Sequence, residues 1–288
     1  MLRLDHVSKT YRVGSFGRGR LTAVRDVSFE LREGEVFSLI GESGSGKSTI
    51  GRMILRLLQP TAGSITYGGA DIAGLHRGPL KEYYRHVQGV FQDPFSSYNP
   101  IFKADRIFSM VHREFFPGVG GDEWRQRLHE ALESVGLNPR DCLHKYPHQL
   151  SGVQLQRLLV ARALLLDIRY LVADEIISML DASTRIDVLN LLADLKARGL
   201  GILFITHDLS LGNYISDTTV ILRRGSIVEM GETAKVFGDP RHPYTQMLLA
   251  SVPRLHAKWN GDGRTRAVPE PAEVPALVEV ERGHLAAL

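Results

Sequence analysis

Gly41-Glu42-Ser43-Gly44-Ser45-Gly46-Lys47-Ser48-Thr49 satisfies the pattern G-x-x-x-x-G-K-[ST] at every defined position. A loop of this composition wraps a polyphosphate with its backbone N–H groups, and the helix that follows aims its positive dipole end at the same anion. In that reading Lys47 reaches the β- and γ-phosphates and Ser48 holds Mg²⁺.

The flanks support it. Val36-Phe37-Ser38-Leu39-Ile40 is a short apolar run that predicts a buried strand. After the loop, Ile50, Met53, Ile54, Leu57 and Leu58 recur at helical spacing. A Gly/Ser-rich surface loop would need both flanks to be coincidental. The same alternation returns later, with a helix from about residue 154 to 166, a strand over 170–173, a helix from about 183 to 196 and a strand over 202–206. It predicts an α/β fold with a mainly parallel sheet.

The chain has 288 residues, enough for one large α/β domain with appended pieces. Lys and Arg number 35 against 32 Asp and Glu, a net charge of +3 with a pI near 9.0. No block of like charge accompanies it, so no nucleic-acid partner is expected. Met1-Leu2-Arg3-Leu4-Asp5 lacks the pattern of a signal peptide. No apolar run approaches the about eighteen residues of a membrane span, and Arg162 interrupts the stretch from Leu158 to Leu166. A cytosolic chain that meets a membrane only through a partner is expected. The single cysteine, Cys142, excludes a disulfide framework within the chain and reads as a packed or half-exposed thiol.

Residues 1 to 40 read as β structure, with alternation in Leu2-Arg3-Leu4 and Val27–Leu31 and a Gly/Arg-rich loop over 14–20. From 98 to 148 the texture is helical, with Trp124, Leu128, Ala131, Leu132 and Val135 forming a core stripe that Gly136 ends. Val220 to Met230 predicts a hairpin around Arg224-Gly225. From 257 onward, Pro269, Pro271 and Pro275 among Glu and Val predict a poorly ordered tail.

Tyr170-Leu171-Val172-Ala173-Asp174-Glu175 sets two carboxylates at the tip of an apolar strand. With a phosphate loop in the same chain, Asp174 is the metal residue and Glu175 the catalytic one. His207 closes the strand over 202–206, where a side chain can reach a phosphate at the carboxyl edge of a sheet. Tyr11 is an aromatic able to stack on a base. His144 and His148 stand four apart, but Pro147 argues against a helical metal pair.

Leu150-Ser151-Gly152-Val153-Gln154 lies between the loop and the acidic strand, and here the chain resembles the ATP-binding-cassette ATPases, whose signature is L-S-G-G-Q. The resemblance covers about residues 1 to 255. It implies an α/β P-loop ATPase core with an N-terminal antiparallel β subdomain (residues 1–98 and 149–240) and a helical signature subdomain (99–148), followed by a C-terminal motif over 241–256 and the tail over 257–288. It implies ATP and Mg²⁺ as ligands, held by Tyr11 and by the loop residues Gly41, Ser43, Gly44, Ser45, Gly46, Lys47, Ser48 and Thr49. Gln92 matches the glutamine that senses Mg²⁺ and the membrane partner. Ser178-Met179-Leu180-Asp181 matches the dimer-contact loop, and His207 the switch histidine.

Gln92-Asp93-Pro94-Phe95-Ser96-Ser97-Tyr98-Asn99-Pro100 and Arg241-His242-Pro243-Tyr244-Thr245 resemble the ATPases of oligopeptide and dipeptide importers. The resemblance implies a peripheral subunit on the cytoplasmic face of the cell membrane. A second cassette, two membrane permease subunits and an external solute-binding protein would be its partners. An oligosaccharide importer, a soluble cassette acting on nucleic acid or the ribosome, and a subunit that does not hydrolyse ATP are the rivals; Glu175 and His207 weigh against the last. Two departures stand out: Val153 replaces the second signature glycine, and Ile176 replaces the proline after the catalytic glutamate. A signature serves the nucleotide held by the opposite chain, so Val153 points to a heterodimer with one strong and one weak site.

Overall fold

The computed structural model describes residues 1–14, 19–178, 180–251 and 275–288. These fall into two compact units, Met1–Ala73 with Leu203–Leu288, and Gly74–Ile202.

The first unit opens with β1 (Leu2–Val13), β2 (Gly19–Leu31), β3 (Val36–Ile40), α1 (Lys47–Ile54), β4 (Ala62–Tyr67) and β5 (Ala70–Asp71). Strands β2-β1-β4-β5 form an antiparallel sheet. Its strands are longer than the sequence pattern implies: Gly19 and Arg20, read as loop, lie in β2 opposite Val13 and Arg12. The rest of that loop, 15–18, is outside the described residues. The Gly/Arg composition hid this end, although its register is regular from Thr10↔Thr22 to Val13↔Gly19; the other end of the ladder is irregular, with shifts between Leu4 and Thr10. His6 and Asp26 adopt positive φ and join Nδ1 to Oδ1 at 2.6 Å. Each shift changes which side chain faces inward, so the period-two signal breaks while the strand continues.

The second unit contains α2 (Arg77–His86), β6 (Val87–Phe91), α3 (Arg106–Phe115), α4 (Gly121–Ser134), α5 (Pro139–Cys142), α6 (Gly152–Leu164), β7 (Tyr170–Asp174) and α7 (Ala182–Ala197). β6 runs parallel to β7 from Val87↔Tyr170 to Phe91↔Asp174. α4 buries Trp124, Leu128, Ala131 and Leu132, the stripe seen in the sequence. Gly136, at φ 69°, ends it while Leu137 N–H returns to Leu132 O at 2.9 Å. Arg162, which breaks the apolar run of α6, is itself half-buried. It donates through Nη2 to Gly89 O at 3.0 Å and Gln88 Oε1 at 3.2 Å on β6. Burial lowers its pKa.

β8 (Gly201–Thr206), buried throughout, lies where the two units divide. The first unit resumes with α8 (Leu209–Ile215), β9 (Thr218–Arg223), β10 (Ser226–Glu232), α9 (Thr233–Gly238), α10 (Pro243–Ala250), β11 (Leu277–Glu281) and β12 (His284–Ala287). Strands β11-β12-β10-β9-β3 follow one another, with β3 and β9 parallel and the others antiparallel. β9 and β10 are the hairpin expected around Arg224-Gly225.

The tail departs from expectation. Residues 257–274 lie outside the described residues, but 277–287 form a hairpin whose β12 pairs β10 through Glu229↔Ala286, Met230↔Leu285 and Gly231↔His284. Leu277-Val278-Glu279-Val280-Glu281 and the Arg282-Gly283 turn supply it, and His284, Ala286 and Ala287 are buried. Gly231 makes the approach possible, since a Cβ there would stand 2.5 Å from the Gly283 carbonyl oxygen. The prolines upstream dominated the composition and masked this short pattern. Among the described residues no helix is long and apolar enough to cross a membrane.

Candidate nucleotide-binding site

β3 is buried along its whole length and delivers the chain into the phosphate loop. At Gly41 a Cβ would lie 2.1 Å from the Leu222 carbonyl oxygen of β9, so the strand can leave the sheet here only without a side chain. Gly46, at φ 104°, turns the loop into α1 with the Ala23 carbonyl oxygen 2.3 Å from where a Cβ would sit. Between them the loop is tied internally and to its neighbours. Ser45 N–H donates to Glu42 O at 3.1 Å, Gly225 N–H to Ser45 O at 2.9 Å and Arg25 N–H to Gly225 O at 2.7 Å.

Lys47 is buried, and its Nζ donates to Gly41 O at 2.7 Å and Glu42 O at 2.8 Å. Loop carbonyls thus hold the ammonium against the loop's own backbone. Ser43 and Gly44 are exposed at the loop's tip, Ser45 is buried, and Ser48 and Thr49 are half-buried in the first turn of α1. That turn places the helix's positive end at the loop. Tyr11 is half-buried on β1, with Lys9 Nζ 5.4 Å from its ring centroid. His207 is exposed just beyond β8, and Asp208 caps α8 by accepting from Ser210 N–H at 2.9 Å.

In the second unit, Asp174 is the buried last residue of β7, and Phe91 of β6 is its register partner. Gln92 and Glu175 therefore leave two adjacent parallel strands at the same carboxyl edge, where ligands of open α/β sheets gather. Glu175 has φ 51°, in the left-handed region that costs a side-chain-bearing residue about 1–2 kcal/mol. Ser178 holds it there, donating to the Glu175 carbonyl from N–H at 3.1 Å and from Oγ at 2.9 Å.

The signature opens α6 through a capping box. Ser151 Oγ accepts Gln154 N–H at 3.2 Å, and Gln154 Oε1 accepts Ser151 N–H at 2.9 Å. Gly152 and Val153 occupy the half-exposed first turn, and a Cβ on Gly152 would make only an ordinary 3.7 Å contact with Phe95. Nothing in this chain's own packing requires glycine there. Met179, in the stretch expected to be the dimer-contact loop, lies outside the described residues. Asp181 caps α7, accepting from Ser183 Oγ at 2.6 Å, Thr184 N–H at 3.0 Å and the Thr184 hydroxyl.

Those bonds, the Ser183 hydroxyl first, hold the Asp181 carboxyl down to about 2. Because the folded value lies below the unfolded one, the stabilisation is present above the ordinary carboxylate range and is lost as pH falls through about 2. Asp181→Asn should therefore flatten the acid limb of the stability profile between about pH 4 and pH 2. Denaturant titrations across that range would check it; an unchanged slope would count against the cap.

Sequence reasoning missed two groups that touch the loop. Gly225 is the donor to Ser45 O, and the Tyr244 hydroxyl accepts Glu42 N–H at 3.4 Å. The signal for Tyr244 was present in Arg241-His242-Pro243-Tyr244, but nothing in the pattern says where that tyrosine points.

Residues 24–178 match the family described as ABC transporter, and 228–277 match the oligopeptide/dipeptide transporter C-terminal region. The oligopeptide transport ATP-binding protein OppF of Bacillus subtilis is 42% identical over 241 residues, covering 82% of this chain and 78% of that protein. A candidate peptide import ATP-binding protein of Brucella ovis is 40% identical over 284 residues, covering 96% of this chain and 86% of its own. An ATP-binding cassette solved as a dimer in a post-hydrolysis state with ADP and Pi superposes with a TM-score of 0.72 at 29% identity, over 81% of this chain and 99% of that one. The phosphate loop, the acidic strand end and the signature box thus sit in a cassette fold with matching sequence, and the chain belongs to the ABC transporter ATPases, with the oligopeptide/dipeptide transporter C-terminal region attached.

Proposed function

We propose that this chain is the ATP-hydrolysing motor of an importer for oligopeptides or dipeptides. One observation carries the reading: a cassette over 24–178 and the oligopeptide/dipeptide transporter C-terminal region over 228–277 occur in one chain. The loop residues from Gly41 to Thr49 bind the phosphates of ATP, and Tyr11 stacks on the base. Lys47 keeps the Gly41 and Glu42 carbonyls and turns its third N–H toward the phosphate oxygens. Glu175 takes the proton of the attacking water, and His207 contacts the γ-phosphate.

Mg²⁺ suits the chemistry of each residue assigned to it: the Ser48 hydroxyl, the buried Asp174 carboxylate and the Gln92 amide oxygen are each a hard oxygen donor of the kind Mg²⁺ takes beside phosphates and water. The metal would neutralise charge developing on the phosphates.

Two membrane permease subunits, a second cassette and an external solute-binding protein complete the machine, with this chain peripheral on the cytoplasmic face. The stretch from Gln92 to about Gly121 is the channel-facing region. Phe95, Ile101, Phe102 and Met110 on it are exposed, between 41% and 75%, an apolar set that suits a docked partner. Reconstitution with the permease pair in vesicles tests the whole reading. Stimulation of ATP hydrolysis by peptide with its binding protein is expected; stimulation only by an oligosaccharide, or crosslinks from residues 92–121 only to nucleic acid or ribosome, would overturn it.

Val153 makes the second cassette a different chain. A valine where close backbone approach to the opposite nucleotide is needed costs about 1–3 kcal/mol of closure by overpacking. It weakens the partner's site and leaves this chain's own loop, Asp174, Glu175 and His207 to work with an intact partner signature. Restoring glycine with Val153→Gly should raise turnover of the reconstituted pair on the order of tenfold. An unchanged rate would show that valine is accommodated.

A further inference from the structure

We infer that Tyr244 is a positioning residue of the nucleotide site: its hydroxyl clamps the peptide unit that joins Gly41 to Glu42 at the mouth of the phosphate loop. That peptide is held from both ends. Its carbonyl, Gly41 O, accepts Lys47 Nζ at 2.7 Å, and its N–H, on Glu42, donates to Tyr244 Oη at 3.4 Å. A trans peptide points these two groups in opposite directions, so the two bonds together resist its rotation. The next carbonyl, Glu42 O, accepts both Lys47 Nζ at 2.8 Å and Ser45 N–H at 3.1 Å. Tyr244 thereby fixes the unit from which the lysine and the loop's first turn are hung.

What makes this a built contact is the structure behind the tyrosine. Glu229, fully buried on β10, accepts Arg241 N–H at 2.7 Å, His242 N–H at 3.0 Å and His284 Nε2 at 2.7 Å. A carboxylate taken out of water is tolerable only when its lone pairs are filled in this way. The two backbone donors fix the entry to α10. His242 then caps the helix, its Nδ1 accepting Tyr244 N–H at 3.0 Å, and Pro243 presets the first turn.

The Tyr244 ring, 1% exposed, is packed in a core cluster with Ile40, the residue just before Gly41, and with Ile221 and Val228. Arg223 lies over the ring at 5.0 Å from its centroid. Burial pushes the hydroxyl's pKa up, so it stays protonated. A continuous path of contacts thus leads from β12 through Glu229 and the first turn of α10 to the phosphate loop. The oligopeptide/dipeptide transporter C-terminal region, matched over 228–277, contains Glu229, His242 and Tyr244. Its role here is to brace the nucleotide site. This requires that the loop bind nucleotide and does not depend on the transported solute.

Tyr244→Phe tests it, because phenylalanine keeps the ring, the cluster and the Arg223 contact and removes only the hydroxyl. The full-length chain is titrated with a fluorescent ATP analogue displaced by ATP and by ADP, alongside thermal unfolding without nucleotide and hydrogen exchange of the loop segment. The expected result is a dissociation constant roughly three- to tenfold higher for both nucleotides, as for a lost hydrogen bond. Faster exchange in the loop and a nearly unchanged melting temperature should accompany it. In ATPase assays the loss should fall on KM for ATP more than on kcat. A dissociation constant within twofold of the parent's overturns the inference. So does weaker binding that follows a drop in melting temperature with loop exchange unaltered. Absence of binding by the parent chain would overturn the nucleotide reading as well.

Discussion

Glu175→Gln is expected to cut ATP turnover by about a hundred- to ten-thousand-fold while leaving nucleotide affinity within a small factor of the parent. The substitution keeps size and hydrogen-bonding shape but removes the proposed base. Glutamine also places the same demand as glutamate on the left-handed backbone at φ 51°, and the Ser178 bonds that hold that turn fall on the carbonyl, which is unchanged. Lys47→Ala should behave oppositely, losing affinity first, because the ammonium sits on the loop and not at the strand end. Single-turnover hydrolysis beside equilibrium titration separates the two. Equal loss of affinity in both variants would mean that the roles of loop and acidic strand are not divided as proposed.

Gly41→Ala should destabilise the fold by roughly 2–4 kcal/mol and abolish tight nucleotide binding with it. The added methyl would stand 2.1 Å from the Leu222 carbonyl oxygen, and that obstacle is backbone of β9, which no rotamer change can move aside. Either β9 shifts, disturbing the Phe37↔Thr218 to Ile40↔Ile221 ladder, or the loop lifts away from the sheet. Gly74→Ala is the control, since a Cβ there meets nothing within 4 Å and should change stability by less than about 0.5 kcal/mol. Urea midpoints at unchanged slope measure both. A Gly41→Ala midpoint equal to the control's would show that the contact relaxes at negligible cost.

The parts of the molecule that the sequence announced are those whose information is local. The loop is a motif of eight consecutive residues, β3 and β7 are single apolar runs, and α4 carries its stripe within fourteen residues. The ladder of β1 and β2 was underestimated because its register shifts spoil alternation within each strand while cross-strand pairing preserves the sheet. The β11–β12 hairpin was obscured by the prolines that precede it. Least visible was the bond from Glu42 to Tyr244, 202 residues apart, since no periodicity or spacing connects two positions that meet only when β3 and α10 share a core. The same limit applies to Asp181 and Ser151. Ser151 could be matched to the signature and Asp181 to the dimer-contact loop, but the helix-capping duty each performs within the chain emerges only from geometry.

The pairing of β12 with β10 also orders events at the ribosome. β10 ends at Glu232, while the strand that covers its open side begins at His284, so roughly fifty further residues must be synthesised before that edge can close. During that interval the nascent chain carries a freshly made hairpin with one row of unsatisfied amides and carbonyls, and Glu229 lacks its imidazole neighbour. Translation that terminates within this window would release a polypeptide that keeps the phosphate loop, the signature and the acidic strand end and carries a sticky flank, a product suited to capture by chaperones or by its own copies.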